Sequence, residues 1–202
     1  MKKMKTLAFA LAATLSIGTL NSCSNNSANE TNSKTDTDPK ATAEEHNDAK
    51  FTSNGEKDAQ FMVNAADISL MEISAGKLAA TAGMSKGVRD LGAMMVKDHQ
   101  AAYDNLAALA KKKNISVPSD MSDHSQKEYN KLADKKGSDF DKDYSEAMVS
   151  GHKDAIELFD KAAKESTDPD IQAWASNMLP TLRKHLDMSM EVHDKNEKTS
   201  MK

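Results

Sequence analysis

Met95-Val96-Lys97-Asp98-His99-Gln100-Ala101-Ala102 and Met148-Val149-Ser150-Gly151-His152-Lys153-Asp154-Ala155 are two copies of one pattern, M-V-x-x-H-x-x-A. Within each copy Met, His and Ala recur at spacings of four and three, which puts them on one face of an α-helix. Each copy also begins ten residues after a serine that suits a helix N-cap, Ser85 for the first and Ser138 for the second. Equal offsets from the cap mean equal depth along a bundle only if the two helices run parallel.

Around the two copies the chain reads as helix from Asp58 onward, rich in Ala, Leu, Met, Lys and Glu and poor in internal Gly and Pro. Four long segments can be drawn. The first follows Ser53, with Glu56 three residues on as a capping box, and runs to about Ala82. The second follows the Gly83-Met84-Ser85 turn and runs to about Lys113. The third follows Gly137-Ser138 and runs to about Lys164. The fourth starts at Asp168-Pro169, a cap with proline in the first turn, and runs to about His193. Pro118 and a shorter helical stretch, roughly Ser122 to Lys136, separate the second and third segments. That connection is long enough to cross back along the bundle and make those two helices parallel. The expected fold is all-α, a ferritin-like four-helix bundle with an extra short helix between helices 2 and 3.

Each long segment carries an apolar seam: Phe61, Ala65, Ile68, Ala75 and Ala79; then Val88, Leu91, Met95, Ala102 and Leu106; then Met148, Ala155, Phe159 and Ala162; then Ile171, Trp174, Met178 and Leu182. Each seam is interrupted once by a group that can bind a metal or a proton: Glu72, His99, His152 and His185. At about 1.5 Å per residue, Glu72 lies about 15 Å and His99 about 21 Å from the end marked by the Ala82 turn. His152 and His185 fall at similar levels, so the four form one candidate layer. Three imidazoles and a carboxylate suit a single transition-metal ion, zinc, copper or iron. Met95, Met148 and Met188 lie one turn from three of the histidines and Tyr144 two turns before His152, as weaker candidates. The competing reading is a buried hydrogen-bond network in which Glu72 pairs the histidines and fixes register. Asp98 is expected on another face, as a partner of the site or a solvated acid, and Asn64 and Asp67 on the surface. Pro180 should kink the last helix just before His185. A di-iron centre would need a Glu three residues before the histidines. Val96, Val149 and Leu182 stand there instead.

The N-terminal part reads differently. Three lysines in Met1–Lys5 precede an uncharged, mostly apolar stretch from Thr6 to Leu20, the layout of a secretory signal. Leu20-Asn21-Ser22-Cys23 has the form of a lipobox, so cleavage before Cys23 and lipidation of its sulfur are expected, giving attachment to a membrane through acyl chains. Cys23 is the only cysteine, which excludes an internal disulfide. Loss of Lys2, Lys3 and Lys5 takes the formal net charge from −4 to −7 and leaves no basic face for nucleic acid. The expected organisation is 1–22 signal peptide, 23–53 lipidated Cys23 and disordered polar tether, 54–195 bundle, and 196–202 disordered tail. Ser24 is not an inner-membrane retention aspartate, and no acidic export signal follows Cys23. The expected location is therefore the cell envelope, on the outer membrane facing the periplasm.

Several motifs recur in one known arrangement. They are Glu72 with Gly76-Lys77-Leu78-Ala79, Met95-Val96-x-Asp98-His99, Gly137-x-x-Phe140-Asp141-x-x-Tyr144, Met148-Val149-x-x-His152, and Leu179-Pro180-x-Leu182-x-x-His185-Leu186. In order and spacing they resemble the bacterial domain-of-unknown-function family 4142, often labelled "predicted outer membrane protein", over nearly all of residues 58–192. The resemblance implies a ferritin-like fold and an envelope location, and no assigned activity or catalytic residues. Three functions stay open: a metal- or ligand-binding envelope module, a structural or interaction protein with unknown protein partners, and an enzyme using a bound metal. No nucleophile–base pair or phosphate-binding glycine loop is present, which argues against catalysis without a metal.

Overall fold

Helix termini set the element boundaries. Ser85 accepts a hydrogen bond from Val88 N, and Asp168 accepts from Asp170 N and Ile171 N, as N-caps do. The computed structural model describes residues 37–200, and the side chains through residue 198. It contains α1 (Pro39–Asp48), α2 (Asn54–Ala82), α3 (Lys86–Lys113), α4 (Asp123–Ala133), α5 (Gly137–Glu165) and α6 (Pro169–Ser200), with no strand among the described residues. Cys23, its lipobox and most of the expected tether lie outside the described residues. Among the described residues no helix is long and apolar enough to cross a membrane.

Polar clamps at the two ends fix the topology. Asp141, one turn into α5, accepts from Met84 N at 2.8 Å and Ser85 N at 2.6 Å, holding the start of α5 against the α2–α3 turn. At the far end Asp58 accepts from Thr167 Oγ1 and Asp168 N, and Lys113 pairs with Asp168 at 2.5 Å and Asp170 at 2.8 Å. Helices α3 and α5 therefore run parallel, α2 and α6 run opposite to them, and α4 lies in the long crossover. This is the ferritin-like arrangement expected from the repeated M-V-x-x-H-x-x-A pattern. α4 is held by Asp67, whose carboxylate accepts from Ser122 N, Ser122 Oγ and Ser125 Oγ at 2.8 to 2.9 Å. Asp67 is thus buried and not a surface group. Asn64 is half-buried.

The hairpin of α2 and α3 is unusually close. A Cβ on Gly76 would stand 2.8 Å from Gly92 O, and one on Gly92 would stand 2.7 Å from Gly76 O. Only glycine at both positions lets the two backbones meet, and this closeness brings the polar residues of α2 and α3 into one layer.

The structure corrects several boundaries. Residues 39–48 of the expected tether are helical and docked. Asp38 caps α1 through Lys40 N and Ala41 N and also accepts from Asp123 N at the start of α4. Asn47 exchanges two hydrogen bonds with the backbone of Ser116, each 2.8 Å. α1 is too polar to show an apolar seam, and hydrogen bonds dock it instead. The expected tail is likewise helical through Ser200, since no Gly or Pro stops it, and Asn196 donates to Asp141 O at 3.1 Å. Ser53 has φ 55° and no side-chain capping bond, so the capping box with Glu56 does not form. α5 starts at Gly137, φ +59°, with Lys136 at the N-cap position, two residues earlier than a Ser138 cap would give. Pro180 lies within α6 without ending it.

The interior is two apolar clusters. One contains Phe61, Leu106, Phe159 and Leu182, with Phe61 and Phe159 edge to face at 5.1 Å. The other contains Leu91, Met95, Phe140, Tyr144 and Met148. Along each long helix the residue between the two clusters is Glu72, His99, His152 or His185, all four buried.

Candidate metal centre

The three histidines come from α3, α5 and α6 and converge on one point. Their rings stand 5.3 to 5.6 Å apart centre to centre, and one ligating nitrogen from each lies within 4.8 Å of the others. Among the described residues this is the one group of three or more His, Cys, Asp or Glu side chains close enough to share an ion.

Hydrogen bonds at the outer edge of the cluster decide which nitrogens point inward. His152 Nδ1 lies 2.9 Å from the carbonyl oxygen of Met148, an acceptor with no proton, so Nδ1 carries the hydrogen. His185 Nε2 lies 3.0 Å from Asp98 Oδ2, and it too must donate. In the neutral rings this leaves lone pairs on His152 Nε2 and His185 Nδ1. Those two atoms face each other at 3.3 Å. Two lone pairs that close repel unless a proton or a cation stands between them. Two nitrogens bound at about 2.0–2.1 Å to one tetrahedral ion are separated by about 3.3–3.4 Å. His99 brings the third ring, and its Nε2 is buried with no hydrogen-bond partner. A backbone carbonyl and a carboxylate behind two of the rings are the outer supports that orient metal-binding imidazoles.

Electrostatics favour the neutral ring at His99 and at His185. Burial holds His99 well below the ordinary histidine range, and its neighbours His152 and His185 push in the same direction. Burial also lowers His185, against the opposing pull of its hydrogen bond to Asp98. Neutral imidazole is the form that binds a metal.

Glu72 is in the layer but not in the cluster. Its Oε1 lies 3.7 Å from His152 Nδ1, the nitrogen turned away from His99 and His185. Glu72 thus stands behind His152, and the expected set of three imidazoles and one carboxylate becomes three imidazoles with a carboxylate outside them. Among the described residues none donates a hydrogen bond to Glu72, and its Oε2 is fully buried. Burial pushes its carboxyl above the usual carboxylate range, partly offset by His152.

The weaker candidates separate clearly. Tyr144 is fully buried and stacks on Phe140 at 5.8 Å. Its Oη has no partner, and burial with the Glu72 charge raises it well above the usual phenol range. Met95 and Met148 are buried and Met188 is half-buried, all as packing, and Met148 serves the site through its carbonyl oxygen. Asp98, half-buried, is the partner that the sequence left undecided. It precedes His99 by one residue, and a step of about 100° around α3 turns it from the seam toward α6.

A family model described as "Domain of unknown function (DUF4142)" matches residues 28–192, and the chain belongs to that family. Residues 39–48, which form α1, fall inside the match. None of the curated proteins matches the sequence. The crystal structure of a conserved hypothetical protein, rv2844, from Mycobacterium tuberculosis is similar in fold. Its TM-score is 0.56 at 16% sequence identity, covering 70% of this chain and 94% of that one.

Proposed function

We propose that this DUF4142 protein is an envelope lipoprotein whose bundle binds one transition-metal ion through His99, His152 and His185. The observation that carries the reading is the pair of facing lone pairs on His152 Nε2 and His185 Nδ1, 3.3 Å apart beside an unpartnered His99 Nε2. Zinc, copper and iron all accept three imidazole nitrogens. Three protein donors leave a fourth position for water or an added ligand. Attachment to the membrane rests on the lysine-rich start, the apolar stretch and the Leu20-Asn21-Ser22-Cys23 lipobox. An outer-membrane anchor facing the periplasm follows from Ser24, with the tether shortened by the docked α1.

A second reading has its own support. The chain Asp98–His185–His152–Met148 O is continuous without an ion, and one extra proton between the two rings completes it. The layer is then a buried network that fixes helix register, and the bundle is a structural or interaction module of the envelope.

Elemental analysis after loading with zinc, copper and iron separates the two readings. The native chain is expected to retain one ion, and a variant with His99→Ala, His152→Ala and His185→Ala none, with helicity checked by circular dichroism. A native chain that retains no stoichiometric metal refutes the metal centre.

A further inference from the structure

Glu72 sits at the floor of a groove between α2 and α5, beneath α4. The groove has a volume of about 380 Å³. Its walls are apolar, from Ile68, Met71, Met148 and Leu158, and carboxylates of Glu128 and Asp154 stand at its edges. Gly151 keeps it open on the α5 side, because a Cβ there would already touch Glu72 Oε1 at 3.5 Å. Of the other ionisable groups lining the groove, Asp67 is taken up by Ser122 and Ser125, Lys40 faces Glu44 at 4.0 Å, Glu128 pairs with Lys131, and His124 is exposed on α4.

A carboxylate whose side chain is 6% exposed and which receives no hydrogen bond is costly to bury. A cation in the groove would offset that cost. A second metal ion does not fit, because no further group of three ligands converges there among the described residues and the walls are alkyl and thioether. A neutral ligand would leave the carboxylate uncompensated. We propose that the groove beneath α4 binds a small organic ammonium ion, with the Glu72 carboxylate as its anchor and the apolar walls holding its alkyl body. Volume and lining are those of a small-molecule pocket, apolar with a few convergent polar groups. The proposal does not rest on the metal reading, since Glu72 lies on the far side of His152 from the three-histidine cluster.

The test is a methyl and amide NMR titration of the full chain with n-butylamine and, separately, n-butanol, in EDTA so that no metal contributes. Saturable shifts centred on Met71, Met148 and Gly151 are expected with the amine. Affinity should be about tenfold weaker or worse for the alcohol and for Glu72→Gln, the loss that follows from removing a charged hydrogen bond. Gly151→Leu should abolish binding by filling the groove, while Glu128→Gln and Asp154→Asn, at the edges, should change it by less than about fivefold. Shifts that never saturate, equal affinity for butanol, or binding that survives both Glu72→Gln and Gly151→Leu would overturn the proposal.

Discussion

His185 Nε2 donates to Asp98 Oδ2 at 3.0 Å, and that bond turns the lone pair of His185 Nδ1 toward the bundle axis. Remove the carboxylate and the ring is free to take the other tautomer or rotate. Asp98→Ala should therefore weaken zinc binding by about 10–100-fold, the usual cost of losing an outer partner of a ligating histidine. The metal-free variant should also lose about 1–3 kcal/mol of stability, because the buried His185 Nε2 is left without its acceptor. Competition with a chromophoric chelator measures the first and calorimetry the second; unchanged zinc affinity would remove Asp98 from the site.

Gly76 and Gly92 bring the backbones of α2 and α3 into direct contact. Gly92→Ala puts a methyl 2.7 Å from Gly76 O and 2.8 Å from the Ala79 Cβ, neither of which can move away alone. Destabilisation of about 1–3 kcal/mol is expected, as for other overpacked interiors. Gly87 is the control: a Cβ there meets nothing nearer than 3.6 Å, so Gly87→Ala should stabilise α3 by about 0.5–1 kcal/mol. Urea denaturation of the two variants reads the difference in sign.

Acid should destabilise the metal-free protein. His99 and His185 both have folded values below the free histidine value of 6.5. The unfolded chain therefore binds more protons once the pH drops below about 6.5, and stability falls as the pH falls. Glu72 acts in the opposite sense: its raised value makes the folded state hold a proton longer and contributes stability that is lost as pH rises. The histidine contribution is isolated by comparing the native chain with His99→Leu in urea melts at pH 8 and pH 5.5. The native chain should lose more stability on acidification than the variant. An equal or smaller loss would mean that His99 is not held neutral in the fold.

Asp67 should prove to be the attachment point of α4. Asp67→Ala removes three hydrogen bonds to a charged acceptor and leaves the Ser122 and Ser125 hydroxyls without it. A loss of about 2–4 kcal/mol is expected on that basis, with faster amide hydrogen exchange concentrated in Asp123–Ala133. Exchange that quickens evenly over the whole bundle would contradict a local role.

The parallel course of α3 and α5 and the approximate level of the polar layer are legible in the repeated pattern and the length of the crossover, although Lys136 and not Ser138 caps α5, so the two copies begin 10 and 12 residues after their caps rather than at one offset. His99 and His152, the histidines of the repeat, meet each other and His185 of α6. What periodicity does not encode is direction around a ring or across a loop. Glu72 shares the layer, yet only the bond from His152 Nδ1 to Met148 O shows that it faces the outer nitrogen. Asp98, one residue off the seam, looks solvated in a helical projection until α6 is laid beside it. α1 is not legible in the sequence for a different reason: Asp38 and Asn47 bind it through hydrogen bonds to Asp123 and Ser116, distant in sequence, and it buries little apolar surface. The role of Asp67 is hidden in the same way. Composition separates apolar from polar faces, but it does not separate a solvated carboxylate from one that caps a helix arriving 55 residues later.

X-ray absorption at the zinc edge, on the full chain loaded with one equivalent of zinc, addresses the three-histidine centre most directly. The expected spectrum is a shell of four nitrogen or oxygen atoms at about 2.0–2.1 Å with the multiple scattering of three imidazoles, reduced to two imidazoles in His99→Ala. A shell of oxygen ligands without imidazole scattering, or a spectrum unchanged by His99→Ala, would contradict it.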